Sequence, residues 1–285
     1  MTQPTYLDRI LEHKRAEVAR QKLKVPLAEL QERAAAAWPV RPFSVVLRQP
    51  QRLALIAEVK HKSPSKGILV PDFDPLKLAR TYIEHGADAL SILTDVRFFG
   101  GSLQYLKAIR ELEQRLPERG DVPLLRKDFI LEPYQVYEAR AYGADALLLI
   151  VAALDDAELR HLLDLTEQLG MEALVEVHDA AELERALTAG ATTVGVNNRD
   201  LRTFAVDVGT TGRLAELLPQ CERPVLVSES GIQQAEDLGR LRGWKADAIL
   251  VGEAIVTAPN IGVKVRELSG RAVSISGSAS AETIV

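Results

Sequence analysis

Four stretches of the chain are variations on one another: HGADALSIL (85–93), YGADALLLI (142–150), AGATTVGV (189–196) and WKADAILVG (244–252). Each reads as a helix end, a tight turn and then a buried run of strand length. A unit that recurs constrains the fold strongly, because every copy must bury the same face against its neighbours. Filling in between the copies yields eight apolar runs: LALIAEVK (53–60), ALSILTD (89–95), VPLLRKD (122–128), ALLLIV (146–151), EALVEVH (172–178), TVGVNN (193–198), PVLVSES (224–230) and AILVGE (248–253). Between them lie stretches such as DPLKLARTYIEHG and DDAELRHLLDLTEQLG, with apolar residues at helical spacing. Strands apolar on both faces that alternate with helices form a parallel sheet. Eight such units close into a (β/α)8 TIM barrel, an α/β fold of a single domain. An open doubly wound sheet is the competitor, but no strand here opens into a GxGxxG turn.

The chain has 285 residues, long enough for two ordinary domains, but a barrel of roughly 250 residues folds as one unit. The expected division is a helical extension over residues 1–50 packed on the barrel, the barrel itself over 51–269, and a flexible C-terminal tail over 270–285. Within the extension, 5–22 and 27–37 read as helices, and PVRPF (39–43) as an extended connector because each proline biases its predecessor away from helix. With 40 Asp plus Glu against 35 Lys plus Arg, the chain is mildly acidic, which argues against nucleic acid and against an anionic membrane surface as partner. No apolar run is long enough to span a bilayer, and the charged N-terminal stretch lacks a signal-peptide core. The single cysteine, Cys221, excludes an internal disulfide framework; the expected location is a reducing cytoplasm.

In such a barrel the functional site lies at the C-terminal ends of the strands. The first run ends Glu58-Val59-Lys60, and the period of a strand puts Glu58 and Lys60 on one face. The third ends Arg126-Lys127-Asp128, the fifth Glu176-Val177-His178, the sixth Asn197-Asn198-Arg199, the seventh Ser228-Glu229-Ser230-Gly231 and the eighth Gly252-Glu253. Alternate strands fill common layers, so Glu58, Lys60, Lys127, Glu176 and Glu229 are expected to converge. The plainer reading is a set of structural ion pairs in the barrel mouth. His178 beside Glu176 suggests a metal pair, but neither HxH nor HExxH is present, so no metal is expected.

Ser230-Gly231 and Gly252-Glu253 both read as helix openings after the last two strands, where backbone N–H groups suit a phosphate. Past the first strand, HKSPSKG (61–67) collects Lys62 and Lys66. Lys62 reads as part of a mobile cationic cover for an anionic substrate, and Lys66 as an ordinary solvated charge.

At these residues the chain resembles the indole-3-glycerol phosphate synthase family. The matching pieces are AEVKHKSPSKG (57–67), LSILTD followed by FFGGS (90–102), LRKDFI (125–130), LVEVHD (174–179), GVNNRDL (195–201) and SESGI (228–232), with ILEHKRAEV resembling the family's helix before the barrel. They run in order over nearly the whole chain. The resemblance implies ring closure, decarboxylation and dehydration of 1-(2-carboxyphenylamino)-1-deoxyribulose 5-phosphate, with no metal or organic cofactor. By the same resemblance Lys127 is the general acid of ring closure and Glu176 serves dehydration. Lys60 holds the substrate carboxylate, and Glu58 keeps the lysines charged and oriented. Asn197 and Glu229 bind substrate hydroxyls with Arg199 nearby. Ser63, Ser230, Gly231, Gly252 and the backbone N–H of Glu253 hold the phosphate, and Phe99, Phe129 and Leu148 wall the aromatic ring. The expected partner is a small anionic phosphosugar, and the expected state a monomer or weak homo-oligomer. Two rival functions remain at this point: a phosphosugar enzyme that uses a lysine Schiff base, and a non-catalytic phosphosugar-binding scaffold.

Overall fold

The computed structural model describes residues 5–64, 66–113, 115–116, 121–200 and 205–271. Eight parallel strands close a barrel in chain order, the first paired with both the second and the last. They are β1 (Ala54–Val59), β2 (Ala89–Leu93), β3 (Leu124–Lys127), β4 (Ala146–Ile150), β5 (Glu172–Val177), β6 (Thr193–Asn197), β7 (Val225–Glu229) and β8 (Ala248–Val251). Each falls within the run read from the sequence.

The repeated tetrad has a structural role beyond its turn. Gly86, Gly143 and Gly190 take φ of 103°, 88° and 96°, and Lys245 stands in the left-handed region (φ 60°) at the fourth copy. The aspartate that follows in three copies clips two strands together at the base of the barrel. The N–H groups of Asp88, Asp145 and Asp247 donate to Leu55, Leu124 and Leu226, each at 2.9 Å. Their carboxylates accept back from the same three residues' N–H groups, at 2.9, 2.7 and 2.8 Å. Arg52, Arg110 and Arg223 pair with those carboxylates, so each buried charge is compensated.

Side-chain alternation splits the core into two compartments. Leu55, Ala57, Leu90, Leu147, Leu149 and Val175 face outward onto the helices. Ala54, Ile56, Leu125, Leu148, Leu174 and Val227 fill the interior together with Phe43 and Leu47. Those last two belong to the short helix Phe43–Leu47 and plug the N-terminal end of the barrel.

Three helices precede the barrel: α1 (Tyr6–Lys24), α2 (Leu27–Ala35) and α3 (Phe43–Leu47). Thr5 and Asp8 form a reciprocal capping box at the start of α1, at 3.1 and 2.7 Å. The helix stops at Val25, held extended by Pro26. Both α1 and α2 pack on helix Pro133–Ala141, with Val18 and Leu30 against Tyr134. The extended connector expected over 39–43 ends one residue early, because Phe43 already begins α3. Its ring is fully buried, and the Ser44 N–H donates to the Glu172 carboxylate at 3.0 Å. Burial of a single turn against the barrel floor outweighs its weak local propensity. The loop after β1 also holds a small antiparallel hairpin, Lys62–Ser63 with Gly67–Ile68, that the sequence reading lacks. The tail expected at 270–285 lies, from residue 272 on, outside the described residues. No helix among the described residues is long and apolar enough to cross a membrane.

Candidate active site

The inward faces of five strands end in a polar side chain at the C-terminal mouth of the barrel. Ala54 and Ile56 lead to Glu58, Leu125 to Lys127, Leu174 to Glu176, Gly195 to Asn197, and Val225 and Val227 to Glu229. These ends open on a cavity of about 620 Å³ that every site residue named from the sequence lines. It therefore holds Glu58, Lys60, Ser63, Phe99, Lys127, Phe129, Leu148, Glu176, Asn197, Arg199, Glu229, Ser230, Gly231, Gly252 and Glu253.

Lys127 is the hub. Its Nζ lies 3.0 Å from Glu176 Oε2 and 3.2 Å from Glu229 Oε2. Burial alone would push its proton off, but Glu176, Glu229 and Glu58 more than compensate and hold it as an ammonium well above the usual lysine range. Burial likewise opposes the charge of Glu176, yet Lys127 and His178 keep it a carboxylate, far below the usual range. Asn197 Nδ2 donates to Glu176 Oε1 at 3.2 Å, and Asn197 Oδ1 accepts from the Arg199 N–H at 3.1 Å. Glu229 behaves oppositely. Burial raises it and Glu176 repels its charge, so even with Lys127 alongside it is pushed up to about 7. Its Oε1 is buried with no hydrogen-bond partner among the described residues. One carboxylate is thus held ionised, while burial and that neighbouring charge raise the proton affinity of the other.

Lys60 Nζ is 3.0 Å from Glu58 Oε2 and 5.8 Å from the centre of the Phe99 ring. Phe99 and Phe129 lie 6.2 Å apart, tilted by 37°, and form an apolar wall with Leu148. Phe98, by contrast, turns outward and meets Tyr6 and His13 edge-on. Two glycines make room for the carboxylates. A Cβ on Gly195 would lie 2.1 Å from Glu229 Oε1, and one on Gly252 2.3 Å from Glu58 Oε2.

The opposite side of the mouth is built from loops. Ser230 and Gly231 are both left-handed, at φ 66° and 82°, an arrangement that costs Ser230 strain and that Gly231 adopts freely. The sequence reading placed a helix opening at this pair; the helix begins at Ala235 instead, capped by Gln234. The two left-handed residues break the backbone path, and the chain runs on as a loop before the capping box forms. After β8 the short helix Glu253–Val256 does start where expected. The Glu253 side chain pairs with Lys66.

Of the two loop lysines, Lys66 is exposed, as expected, yet it holds this pair at the rim, and Lys62 does not take the expected covering position. Lys66 lines the cavity and spans from the loop after β1 to the helix after β8. Lys62 does not line it: its ammonium donates to the carbonyl of Arg97 at 2.8 Å. The hairpin points Lys62 sideways to the next loop, while Ser63 Oγ accepts the Lys66 N–H at 3.2 Å and the Lys66 ammonium stays largely exposed.

Two contributions escaped the sequence reading. Tyr6, Leu7 and Ile10 of α1 reach over the cavity, so the extension forms part of its wall. Ile10 shares the buried face of α1 with Lys14 and Val18, a stripe that was visible but did not say what it faced. His178 belongs to no group of three or more His, Cys, Asp and Glu placed to hold a metal ion among the described residues. It sits 3.4 Å from Glu176 Oε1 and 2.9 Å from Glu182 Oε2. Burial disfavours its charge, but those two carboxylates prevail and raise it to about 10, so it is an imidazolium that steadies Glu176.

A closed parallel barrel with lysines and carboxylates gathered at its C-terminal strand ends defines a TIM-barrel enzyme of acid–base type. Among solved structures the fold is similar to a 3-hexulose-6-phosphate synthase, with a TM-score of 0.58 at 14% identity over 76% of this chain and 99% of that one, a likeness of fold alone. The sequence is more specific. The family model described as indole-3-glycerol phosphate synthase matches residues 7–268, and the chain belongs to that family. Relatives that carry the same name include one from Roseiflexus sp. (strain RS-1), 62% identical over 93% of this chain and 98% of its own, and one from Dehalococcoides mccartyi (strain ATCC BAA-2266 / KCTC 15142 / 195), 48% identical over 92% and 99%.

Proposed function

We propose that the chain closes the indole ring: it converts 1-(2-carboxyphenylamino)-1-deoxyribulose 5-phosphate to indole-3-glycerol phosphate, carbon dioxide and water, the carboxy-lyase step of tryptophan biosynthesis. The observation that carries the reading is Lys127, an ammonium held between Glu176 and Glu229 at the centre of the cavity. Ring closure needs a proton delivered to the ketone oxygen as the aromatic carbon attacks, and a buried ammonium aimed into the pocket supplies it. Departure of carbon dioxide then restores aromaticity. Dehydration requires an acid, Lys60, to protonate the departing hydroxyl so that it leaves as water, and a base, Glu176, ionised by Lys127 and His178, to take up the proton lost from the new ring.

The remaining residues sort by the substrate's three anionic and apolar parts. Lys60, cationic beside the Phe99 ring, receives the aromatic carboxylate while Phe99, Phe129 and Leu148 flank the ring. Glu58 keeps Lys60 in place. Asn197 and Glu229 hold the sugar hydroxyls, with Arg199 beside them. The phosphate sits across the mouth on Ser63, Ser230, Gly231, Gly252 and the Glu253 N–H, where glycine lets an anion approach the backbone closely. Residues 1–50 act as part of the catalytic unit, since α1 helps to wall the cavity. The cytoplasm suits such a biosynthetic step, and no second subunit is required to complete the pocket.

A Schiff-base mechanism needs a lysine whose ammonium is easily deprotonated. Lys127 is shifted the other way. Indole fluorescence on adding the anthranilate-derived substrate tests the proposal directly; absence of product, or borohydride trapping of a substrate adduct on Lys60 or Lys127, refutes it.

A further inference from the structure

Lys14 lies at the middle of α1, and it is buried to 1% exposure on a face otherwise occupied by Ile10, Leu11 and Val18. A lysine in an apolar stripe needs a reason, because an unpaired ammonium is rarely tolerated there. Its Nζ lies 2.9 Å from Asp95 Oδ2, 2.9 Å from Asp128 Oδ1 and 2.9 Å from Glu17 Oε1. Asp95 and Asp128 belong to the loops after β2 and β3 and are themselves fully or nearly fully buried.

Each of these two carboxylates holds one ring of the apolar wall. Asp95 Oδ1 accepts the N–H groups of Phe98 and Phe99, at 2.7 and 3.3 Å, and so fixes the turn that carries Phe99. Asp128 Oδ1 accepts the Phe129 N–H at 2.8 Å and directly follows Lys127 in the chain. Its second oxygen accepts from Thr94 Oγ1 at 2.6 Å and Arg126 Nη2 at 3.1 Å. Asp95 Oδ2, in contrast, accepts no hydrogen bond among the described residues, so the Lys14 ammonium is what faces it. Without that ammonium, two buried carboxylates on neighbouring loops would repel each other, and the helix that brings Tyr6, Leu7 and Ile10 over the cavity would lose its polar anchor.

We propose that Lys14 is a positioning residue of this enzyme: by clamping Asp95 and Asp128 together beneath α1, it sets the spacing of Phe99 and Phe129 and seats the N-terminal helix as the roof over the substrate's aromatic ring. The proposal rests on the ring-closure reading for its substrate, but its geometry does not. The clamp acts on the side of the mouth formed by β2 and β3. The phosphate cradle is built chiefly on β7 and β8, across the barrel; only its Ser63, in the hairpin after β1, adjoins the turn that carries Phe99. A defect in the clamp should therefore harm recognition of the ring and leave recognition of the phosphate intact.

The test compares wild type, Lys14→Met and the double variant Lys14→Met/Asp95→Asn as full-length chains. The asparagine carbonyl oxygen can still cap Phe98 and Phe99, while the charge that Lys14 neutralised is gone. Affinities are measured for inorganic phosphate and for indole-3-glycerol phosphate, alongside kcat and KM. In Lys14→Met the displaced wall lowers kcat/KM by about 100-fold and weakens the indole ligand by about tenfold. Phosphate affinity stays within about twofold, because most of the cradle lies across the barrel from the clamp. The double variant, which is also the safer one to fold, recovers at least about a third of the lost indole affinity. Indole and phosphate affinity falling together, neither changing, or no recovery in the double variant would each overturn the proposal. Absence of turnover by wild type would refute the ring-closure reading instead, and the two binding measurements would still decide the role of Lys14.

Discussion

Replacing Lys127 by methionine removes one ammonium and preserves most of the side-chain volume. At an effective dielectric of about 20, each of its two carboxylate contacts is worth about 5 kcal/mol before desolvation, so the loss is too large for the site to ignore. Glu58, Glu176 and Glu229 would then crowd the cavity with less positive charge among them. Glu229, already pushed up to about 7, is the group that relaxes this: it takes up a proton and stays neutral at neutral pH. The variant should therefore fold and still bind product to within about tenfold, while turnover falls by about a thousandfold, the range of a lost general acid. Lys127→Arg sharpens the argument. A guanidinium restores the charge, but its larger planar fork cannot place a single N–H where the Lys127 ammonium stands, so it should rescue the electrostatics and not the rate. The assay is steady-state indole fluorescence with product affinity measured in parallel. Either variant keeping more than about a tenth of wild-type kcat would refute proton donation by Lys127.

Three other outcomes follow from the same geometry. Gly195→Ala would drive a methyl into Glu229 Oε1, 2.1 Å away, so it should lower stability by about 1–3 kcal/mol in urea unfolding and depress kcat as the carboxylate moves; an unchanged midpoint would mean that Glu229 moves aside freely. His178→Gln probes a group raised from about 6.5 to about 10. The raised value means the imidazolium contributes most below about pH 6.5, and that contribution fades as pH climbs through about 10. The stability gap between wild type and variant should narrow over that window, and a gap that widens with pH would contradict the pairing with Glu176 and Glu182. Lys66→Ala, which breaks an exposed pair, should change stability by less than about 1 kcal/mol but raise KM most at low salt. Lys62→Ala, pointed at Arg97, should raise it less, and the opposite order would return the cover role to Lys62.

Much of the molecule is legible without coordinates. The alternation of Glu58, Val59 and Lys60 tells which side chains share a face, because the period of a strand is local. The recurrence of Gly-Ala-Asp-Ala-Leu marks where helices stop and strands begin, since a left-handed turn residue is also a local requirement. Those two regularities suffice to count eight strands and to place lysines and carboxylates at the ends of several of them.

What stayed hidden depends on which distant elements meet. The sequence shows Lys14 in an apolar stripe but not that Asp95 and Asp128 close around it. It shows His178 two residues after Glu176 but not that Glu182 returns to raise its basicity. Lys62 and Lys66 look equivalent until a two-residue hairpin turns one toward Arg97 and the other toward Glu253. Phe43 reads as connector until the open floor of the barrel gives its ring somewhere to be buried. Periodicity and turn chemistry are properties of neighbours along the chain, and so they were determined by the sequence alone. Proton affinities, ring spacing and the choice of ion-pair partner depend on burial and on charges brought in from other strands, and only the closed barrel decided them.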